Sequence, residues 1–388
     1  MKVCMLDPLF LPYFGGTEKV VLEVGSRLVR DHGYEIEVLT SMIPQARGIK
    51  REEIRGMRVN RTPSIYLERL PAFLPPPFTI SPVLNWHLVL SHGGADVYHI
   101  HNRFWYTLGT LASVKMLLRR KLMLTIHNAR PRGIARDVDF WGGFYDDTFG
   151  RLMFDACDRI NCVSRAALDA TVPEDLRGKC TVVYNGVDTK TFSPERGSEG
   201  VRESLGIHDS GPIIMSNGRL ITQKAFSSLL EAFAGVKREF KDAHLVIVGK
   251  GPLKGELTRQ ASDLGIGGSF VITTGIPEER LPLFYNAADI FALPSLYEPS
   301  AVVLYEALAC GKPIVATAVG GNREIVSEDC GRLVEPRDPK ALENALLPLL
   351  RDDSLRSALG AASRRRAVER FDWDIIARDW DNSYRALF

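Results

Sequence analysis

No run of apolar residues in this 388-residue sequence approaches the ~20 that a helix needs to cross a bilayer. The opening Met1–Leu6 is too short for a secretion signal and reads as a first strand. The six cysteines show no CxxC or other metal-type spacing. Cys4, Cys157, Cys162 and Cys310 sit in apolar settings and read as reduced core thiols of a cytoplasmic protein. A charge excess is missing too. Residues 1–188 carry 24 Lys and Arg against 20 Asp and Glu, and the remainder 25 against 27, too even a balance for a nucleic-acid surface. No internal repeat is visible, although both halves read as the same kind of α/β unit. What is present, at 45% hydrophobic and 25% charged residues, is the composition of a soluble globular protein long enough for two domains.

The densest signal is Pro294–Thr317, PSLYEPSAVVLYEALACGKPIVAT. A buried strand, Ile290–Leu293, leads into it, and Pro294 and Pro299 bracket a tight loop carrying Ser295, Tyr297 and Glu298. From Ser300 the spacing turns helical, with Val302, Val303, Ala307, Leu308 and Ala309 on one apolar face. Gly311 and Pro313 end the helix before a strand at Ile314–Ala316. A helix N-terminus offers unpaired N–H groups and partial positive charge, so the amides of Ser300, Ala301 and Val302 suit a phosphate. Glu306, two turns in, is placed to accept both hydroxyls of a ribose, and Glu298 to lie beside whatever the phosphate carries. Pyrophosphate between a ribose and a sugar describes a sugar nucleotide. On spacing alone, a solvated loop glutamate and a helix-surface glutamate are an equal reading.

Glu298–Ala316, EPSAVVLYEALACGKPIVA, resembles the E-x7-E motif of glycosyltransferase family 4, the large family of retaining GT-B enzymes. Ser300-Ala301 stands where Phe-Gly is commoner, at positions that mainly offer backbone amides to the donor. The resemblance covers the whole chain. It implies an α/β fold of GT-B type: two Rossmann-like domains facing a central cleft that holds the sugar nucleotide, and a C-terminal helix crossing back to the N-terminal domain.

Along the first half, the strand at Val3–Leu6, a glycine loop, a helix from Thr17 to about Val29 and a strand at Glu35–Thr40 make a Rossmann-like opening. Gly15-Gly16 lets a backbone approach a bound group. With Glu18 the pair resembles the family's G-G-x-E loop, which faces the donor phosphate and the acceptor. Residues 63–82 hold six prolines besides Phe73 and Phe78 and read as loop or short irregular helix. Asp96–His101 and Leu122–His127 are strands ending in histidine, at the carboxyl ends where open α/β sheets bind ligands. His127 matches the family's T-x-H position, whose imidazole faces the donor sugar. The usual following Asp is Asn128, so no carboxylate partner for His127 is evident. Residues 128–150 read as a long connection in which Asp137-Val138-Asp139, a DxD form outside its usual setting, is a solvated loop. Arg130, Arg132 and Arg136 beside Phe140, Trp141, Phe144 and Tyr145 suit an acidic or lipid-linked acceptor, or equally a loop packing its aromatics on the domain. Lys115, Arg119, Arg120 and Lys121, with Phe104, Trp105, Trp141 and Phe144, suit a membrane surface or a phosphate-linked lipid carrier, the alternative being a solvated basic face.

Strands at Asp158–Val163 and Cys180–Tyr184 lead to Asn185-Gly186-Val187-Asp188, which resembles the family's interdomain signature. That sets domains at 1–188 and 189–370, with a terminal helix over 371–388 whose Trp373, Ile376, Trp380 and Tyr384 fall at helical spacing. After a strand at Pro212–Ser216, Arg219 and Lys224 flank a strand-to-helix loop from which both reach one diphosphate and stabilise charge on the leaving group. Neither lies in an apolar pattern, so replacing either is expected to leave the fold intact. The family form is G-R-L-x-x-x-K-G, and Ala225 takes the place of its last Gly. Strand-plus-glycine loops recur at His244–Val248 with Gly249 and Gly251, and at Phe270–Thr273 with Gly275-Ile276-Pro277, a loop that in the family lies against the nucleobase. Gly320-Gly321 with Glu324 resembles the family's G-G-x-x-E segment.

The reading is a glycosyltransferase that moves a sugar from a UDP- or GDP-sugar to a glycan, phospho-sugar or lipid-linked acceptor, and the family resemblance implies retention, with an α-glycoside as product. Glu298 orients the sugar, with Arg219, Lys224 and His127 as its catalytic company. Gly15, Gly16, Gly249, Gly251, Ile276, Ser300, Ala301, Val302 and Glu306 bind substrate. No cofactor is called for, and the two basic residues make a metal ion dispensable. Cytoplasmic placement with peripheral contact at the inner membrane face is compatible with this reading. A GT-B sugar-nucleotide 2-epimerase is one rival, but it needs acid and base groups around C2 and lacks E-x7-E. The other is a non-catalytic sugar-nucleotide-binding protein, against which intact Glu298, Glu306, Arg219 and Lys224 argue.

Overall fold

Apolar strands linked by helical crossovers hide both faces by pairing in parallel beneath helices. The computed structural model, which describes residues 1–13, 15–67, 78–91, 94–101, 107–129 and 136–388, shows two units built that way. One is Met1–Asn185 together with Trp373–Phe388, and the other is Gly186–Asp372.

The first unit contains β1 (Lys2–Leu6), β2 (Glu35–Ser41), β3 (Arg51–Ile54), β4 (Met57–Thr62), β5 (Ile65–Leu67), β6 (Phe78–Ile80), β7 (Val97–His101), β8 (Lys121–Ile126), β9 (Arg159–Cys162) and β10 (Cys180–Val182). Its eight-stranded sheet runs β10-β9-β8-β7-β1-β2-β4-β3, parallel except where β3 folds back on β4. Alternate residues of β1 enter two different cores. Val3 and Met5 join the helix Gly16–His32 and the terminal helix, while Cys4 and Leu6 join Tyr98, Leu122 and Phe154. The terminal helix Trp373–Arg385 belongs to this unit and packs along Gly16–His32. Trp373 and Trp380 are fully buried, each contributing roughly 4–6 kcal/mol as an upper bound. Polar ties fix the helix register: Arg27 Nε donates to Asp374 (2.7 Å), Tyr34 Oη to Asp381 (2.7 Å) and Arg159 Nε to Ser383 (3.1 Å).

Two expectations are corrected here. Residues 63–82 are not loop throughout, because β5 and β6 pair antiparallel. Their six prolines all fall outside the paired residues, so no ladder donor is lost. Residues 128–150 are not a plain connection either. Arg136–Tyr145 is helical and continues through a π-helical turn, Asp146–Gly150, into the helix Arg151–Ala156. No proline interrupts that span, and Gly142, Gly143 and Gly150 are too weak to break it. Asp137 and Asp139 thus stand on a helix rather than in a loop, and their side chains lie outside the described residues.

In the second unit β11 (Ile213–Asn217), β12 (His244–Val248), β13 (Phe270–Thr273), β14 (Ile290–Leu293), β15 (Ile314–Thr317) and β16 (Gly331–Val334) form one parallel sheet, ordered β13-β12-β11-β14-β15-β16. Strand order reverses between β11 and β14 here, and between β1 and β7 in the first unit. At such a switch point the two loops diverge and leave a crevice at the strands' carboxyl ends, where ligands of this architecture bind. All six cysteines are free thiols. No helix among the described residues is long and apolar enough to cross a membrane.

Candidate active site

The loops after β11 and β14 flank the switch point of the second unit and are laced together. Leu296 N–H donates to the Gln223 carbonyl (2.8 Å), and Gln223 Nε2 donates to the Tyr297 carbonyl (2.9 Å). From the other side, Thr317 Oγ1 donates to the Ser295 carbonyl (2.5 Å) and Gly321 N–H to the Glu298 carbonyl (3.0 Å). Gly320, at φ 46°, passes so near that a Cβ there would sit 2.1 Å from the Glu298 carbonyl oxygen, which explains the glycine. Glu298 is therefore held by its backbone before its side chain is considered.

That side chain is 5% exposed and meets Lys224 Nζ at 2.5 Å and Ser295 Oγ at 2.7 Å. Both donors fall on Oε1. Oε2 has no hydrogen-bond partner among the described residues and remains available for a ligand hydroxyl. Arg219 is exposed, and its guanidinium makes no ion pair among the described residues. The two basic residues thus differ. Arg219 is a cation with no ion-pair partner among the described residues, whereas Lys224 neutralises a buried carboxylate, a contact that gives its replacement an expected cost in stability that the sequence pattern did not foresee. Ala225, in the place of the family's glycine, adopts the left-handed conformation (φ 47°, ψ 38°), a strain of about 1–2 kcal/mol for a residue with a Cβ. It starts the helix Phe226–Glu239.

The helix carrying Glu306 spans Val302–Ala309, so it begins two residues later than its spacing suggests. Ala301 caps it without a side-chain acceptor, and Ser300 is drawn off by a 2.8 Å hydrogen bond between its Oγ and Tyr305 Oη. Buried Glu306 accepts from Tyr285 Oη at 2.8 Å, and Asn217 Nδ2 donates to the same Oη at 3.1 Å. Burial and the nearby Glu306 push the Tyr285 phenol well above its ordinary range, so it keeps its proton and acts as the donor. Nothing in the sequence pattern pointed to Asn217, Tyr285 or Ser295 as the groups that orient these carboxylates.

Gly249 and Gly251 have a packing reason: a Cβ on Gly249 would lie 1.9 Å from the Gly218 carbonyl oxygen, and one on Gly251 2.4 Å from that of Leu220. They let the loop after β12 lie against the Arg219 loop, where Leu220 N–H donates to the Lys250 carbonyl (2.9 Å). Lys250, exposed between them, is a further cation at this edge that the sequence reading passed over. Half-buried Ile276 follows β13, two strands and so roughly 10 Å from β11.

In the first unit, Gly15 caps the helix Gly16–His32 and Gly16 is exposed at its mouth. Behind them, Asp7 is buried at the end of β1. Burial and Glu18 hold its carboxyl well above the usual range. His127 follows β8, and its partner is not a carboxylate but His101, with His101 Nδ1 3.0 Å from His127 Nε2. Burial lowers His127 to about 3, so the ring is neutral at physiological pH. Phe73, Phe104, Trp105, Arg130 and Arg132 lie outside the described residues, as does the Arg136 side chain. Phe140, Trp141 and Phe144 are exposed rather than packed on the unit, and Lys115 is paired with Asp158 at 2.8 Å. Among the described residues no three His, Cys, Asp or Glu side chains converge at metal-ligand spacing.

Residues 14–191 match the Glycosyltransferase Family 4 model and residues 198–366 the Glycosyl transferases group 1 model. A D-inositol 3-phosphate glycosyltransferase of Xylanimonas cellulosilytica is 31% identical over 388 residues, 94% of this chain and 89% of that protein. The chain belongs to glycosyltransferase family 4. A second family member is similar over a shorter stretch. It is the GDP-mannose-dependent alpha-(1-6)-phosphatidylinositol monomannoside mannosyltransferase of Mycolicibacterium smegmatis, 36% identical over 197 residues, 48% of this chain and 51% of that one. The GT-B fold of Anabaena HepE, solved with UDP and glucose, superposes with a TM-score of 0.80 over the whole of both chains at 20% identity. This glycosyltransferase is accordingly a GT-B protein, with its Rossmann-like units both wound as that fold requires.

Proposed function

We propose that this glycosyltransferase moves a sugar, with retention, from a UDP- or GDP-sugar to a phosphorylated or lipid-linked acceptor. The observation that carries the reading is exposed Arg219, without an ion-pair partner among the described residues, on the loop of the Lys224–Glu298 pair at the switch point of the second unit, with Glu306 on the helix that follows. When the C1–O bond to the diphosphate breaks, its electron pair leaves on the phosphate oxygen. Arg219 and Lys224 supply fixed positive charge where that charge develops. The acceptor hydroxyl forms the new C1–O bond and passes its proton to the departing diphosphate oxygen, and the α configuration is kept. Glu298 Oε2 takes a sugar hydroxyl, Glu306 the ribose, and the amides of Val302 and Val303 a phosphate. His127 contributes a neutral imidazole towards the sugar.

The choice of donor and acceptor is supported by the relatives' names, one GDP-mannose-dependent and one acting on D-inositol 3-phosphate. A lipid-linked acceptor and peripheral membrane contact are favoured by Trp86, Leu90, Met116 and Leu117, each 67–75% exposed on two adjoining helical segments, with exposed Arg119 and Arg120 beside them. The test is incubation with panels of UDP- and GDP-sugars and of inositol phosphates and phosphoinositides, followed by proton NMR of the product. An α-glycoside supports the reading. A β-glycoside, or an epimerised donor with no transfer, overturns it.

A further inference from the structure

In β7, His99 and His101 alternate with Ile100 and so share one face of the sheet. Thr125 of β8 and the following His127 share that face, in the register His101↔Thr125. The terminal helix roofs the cluster. Trp380 stacks on His101 with ring centres 5.5 Å apart and planes 10° from parallel, and Tyr384 Oη lies 2.6 Å from His99 Nδ1. His99 is saturated, because its Nε2 meets Thr125 Oγ1 at 2.7 Å. His101 uses Nδ1 on His127, and its Nε2 is buried with no hydrogen-bond partner among the described residues.

A neutral imidazole carries one N–H and one lone pair. The 3.0 Å contact between His101 and His127 needs one of each, so two arrangements are open. If His127 Nε2 were the donor, His101 would carry its own proton on Nε2, leaving a buried N–H with no acceptor, the rarer and costlier defect. If His101 Nδ1–H donates, the orphan at Nε2 is only a lone pair. His127 Nε2 then accepts, and its proton sits on Nδ1, the nitrogen with no protein partner among the described residues. Burial keeps all three rings neutral, so no third arrangement with an imidazolium competes.

We propose that His101 is a positioning residue that locks His127 in the Nδ1–H tautomer, so that the group offered to substrate is an N–H donor for a sugar hydroxyl oxygen and not a base. The assignment rests on the reading of His127 as the sugar-facing group, and its test separates the two. Nitrogen-15 NMR of the histidine-labelled wild-type protein reads the tautomer without any substrate. A protonated Nδ1 and bare Nε2 on His127 are expected, and the opposite pattern overturns the proposal whatever the kinetics. In the kinetic arm, His101→Leu removes the donor and is expected to lower kcat on the order of ten- to a hundred-fold, with KM for the donor nearly unchanged. His101→Gln, whose amide N–H can still donate, is expected to recover most of that loss. Wild-type kcat in His101→Leu overturns the positioning role, whereas wild-type activity in His127→Ala removes the reading on which it rests.

Discussion

Lys224→Met should destabilise the second unit, and Arg219→Ala should not. Both residues point at the same proposed diphosphate, but Lys224 stands 2.5 Å from a carboxylate that is 5% exposed. Removing the cation leaves Glu298 with Ser295 Oγ as its remaining side-chain donor, and stripping one partner from a buried pair typically costs about 3–5 kcal/mol. For a unit of this size that lowers the melting transition by roughly 6–20 °C. Glu298→Gln in the Lys224→Met background removes the stranded charge and should recover most of the loss, a coupling that a double-mutant cycle reads directly. Exposed, unpaired Arg219 is expected to shift the transition by less than about 2 °C on alanine substitution, within the ±0.5 kcal/mol of an ordinary surface change. The same substitution should lower kcat/KM ten- to a thousand-fold, about 1.4–4 kcal/mol of lost transition-state stabilisation. Scanning calorimetry of these three variants and of Glu298→Gln alone, which closes the cycle, decides. If Lys224→Met melts with the wild type, the pair contributes nothing to the fold and the reasoning fails.

Ala225→Gly relieves a left-handed alanine worth about 1–2 kcal/mol against about 0.5–1 kcal/mol of glycine's chain entropy, so denaturant unfolding should show a gain of roughly 0.5–1 kcal/mol. The His99, His101 and His127 rings are lowered below 6.5 by burial, so the unfolded chain takes up protons the folded one refuses. Stability is full above about pH 6.5 and is lost as pH falls towards 3, and His127→Asn should flatten that slope by up to about 1.4 kcal/mol per pH unit. Glu306→Gln is expected to weaken nucleoside diphosphate binding by about 1.5–3 kcal/mol in calorimetry, with a preference for ribose over 2′,3′-dideoxyribose in the parent. Activity should survive EDTA, and loss restored by magnesium or manganese would refute metal independence.

The parallel strands other than β4 and β16 were legible because they are short apolar runs, several of them (β11, β12, β13 and β15) closed by a glycine-containing turn, a pattern set locally by their own residues. The hairpin of β3 and β4, the ribbon of β5 and β6, and β16 were not, since their residues alternate weakly and are set by the neighbours they pair with. For the site, motif spacing found Glu298, Glu306, Arg219 and Lys224, yet it could not tell a free cation from a neutralised one. That difference depends on a contact between residues 74 apart. The His101–His127 pair did leave a trace, as two neighbouring strands that both end in histidine. Its partner helix, 253 residues after His127 at Trp380, left none that a local pattern could carry.

The central claim is that the second unit holds a nucleoside diphosphate through Arg219. Isothermal titration of UDP, GDP, UMP and GMP against wild type and Arg219→Ala tests it most directly. A diphosphate should bind the wild type at least about tenfold more tightly than the matching monophosphate, the 1.4 kcal/mol lower bound for one charge-assisted contact. That preference should largely vanish in Arg219→Ala. Equal affinities in the wild type, or a preference that survives the substitution intact, would contradict the account.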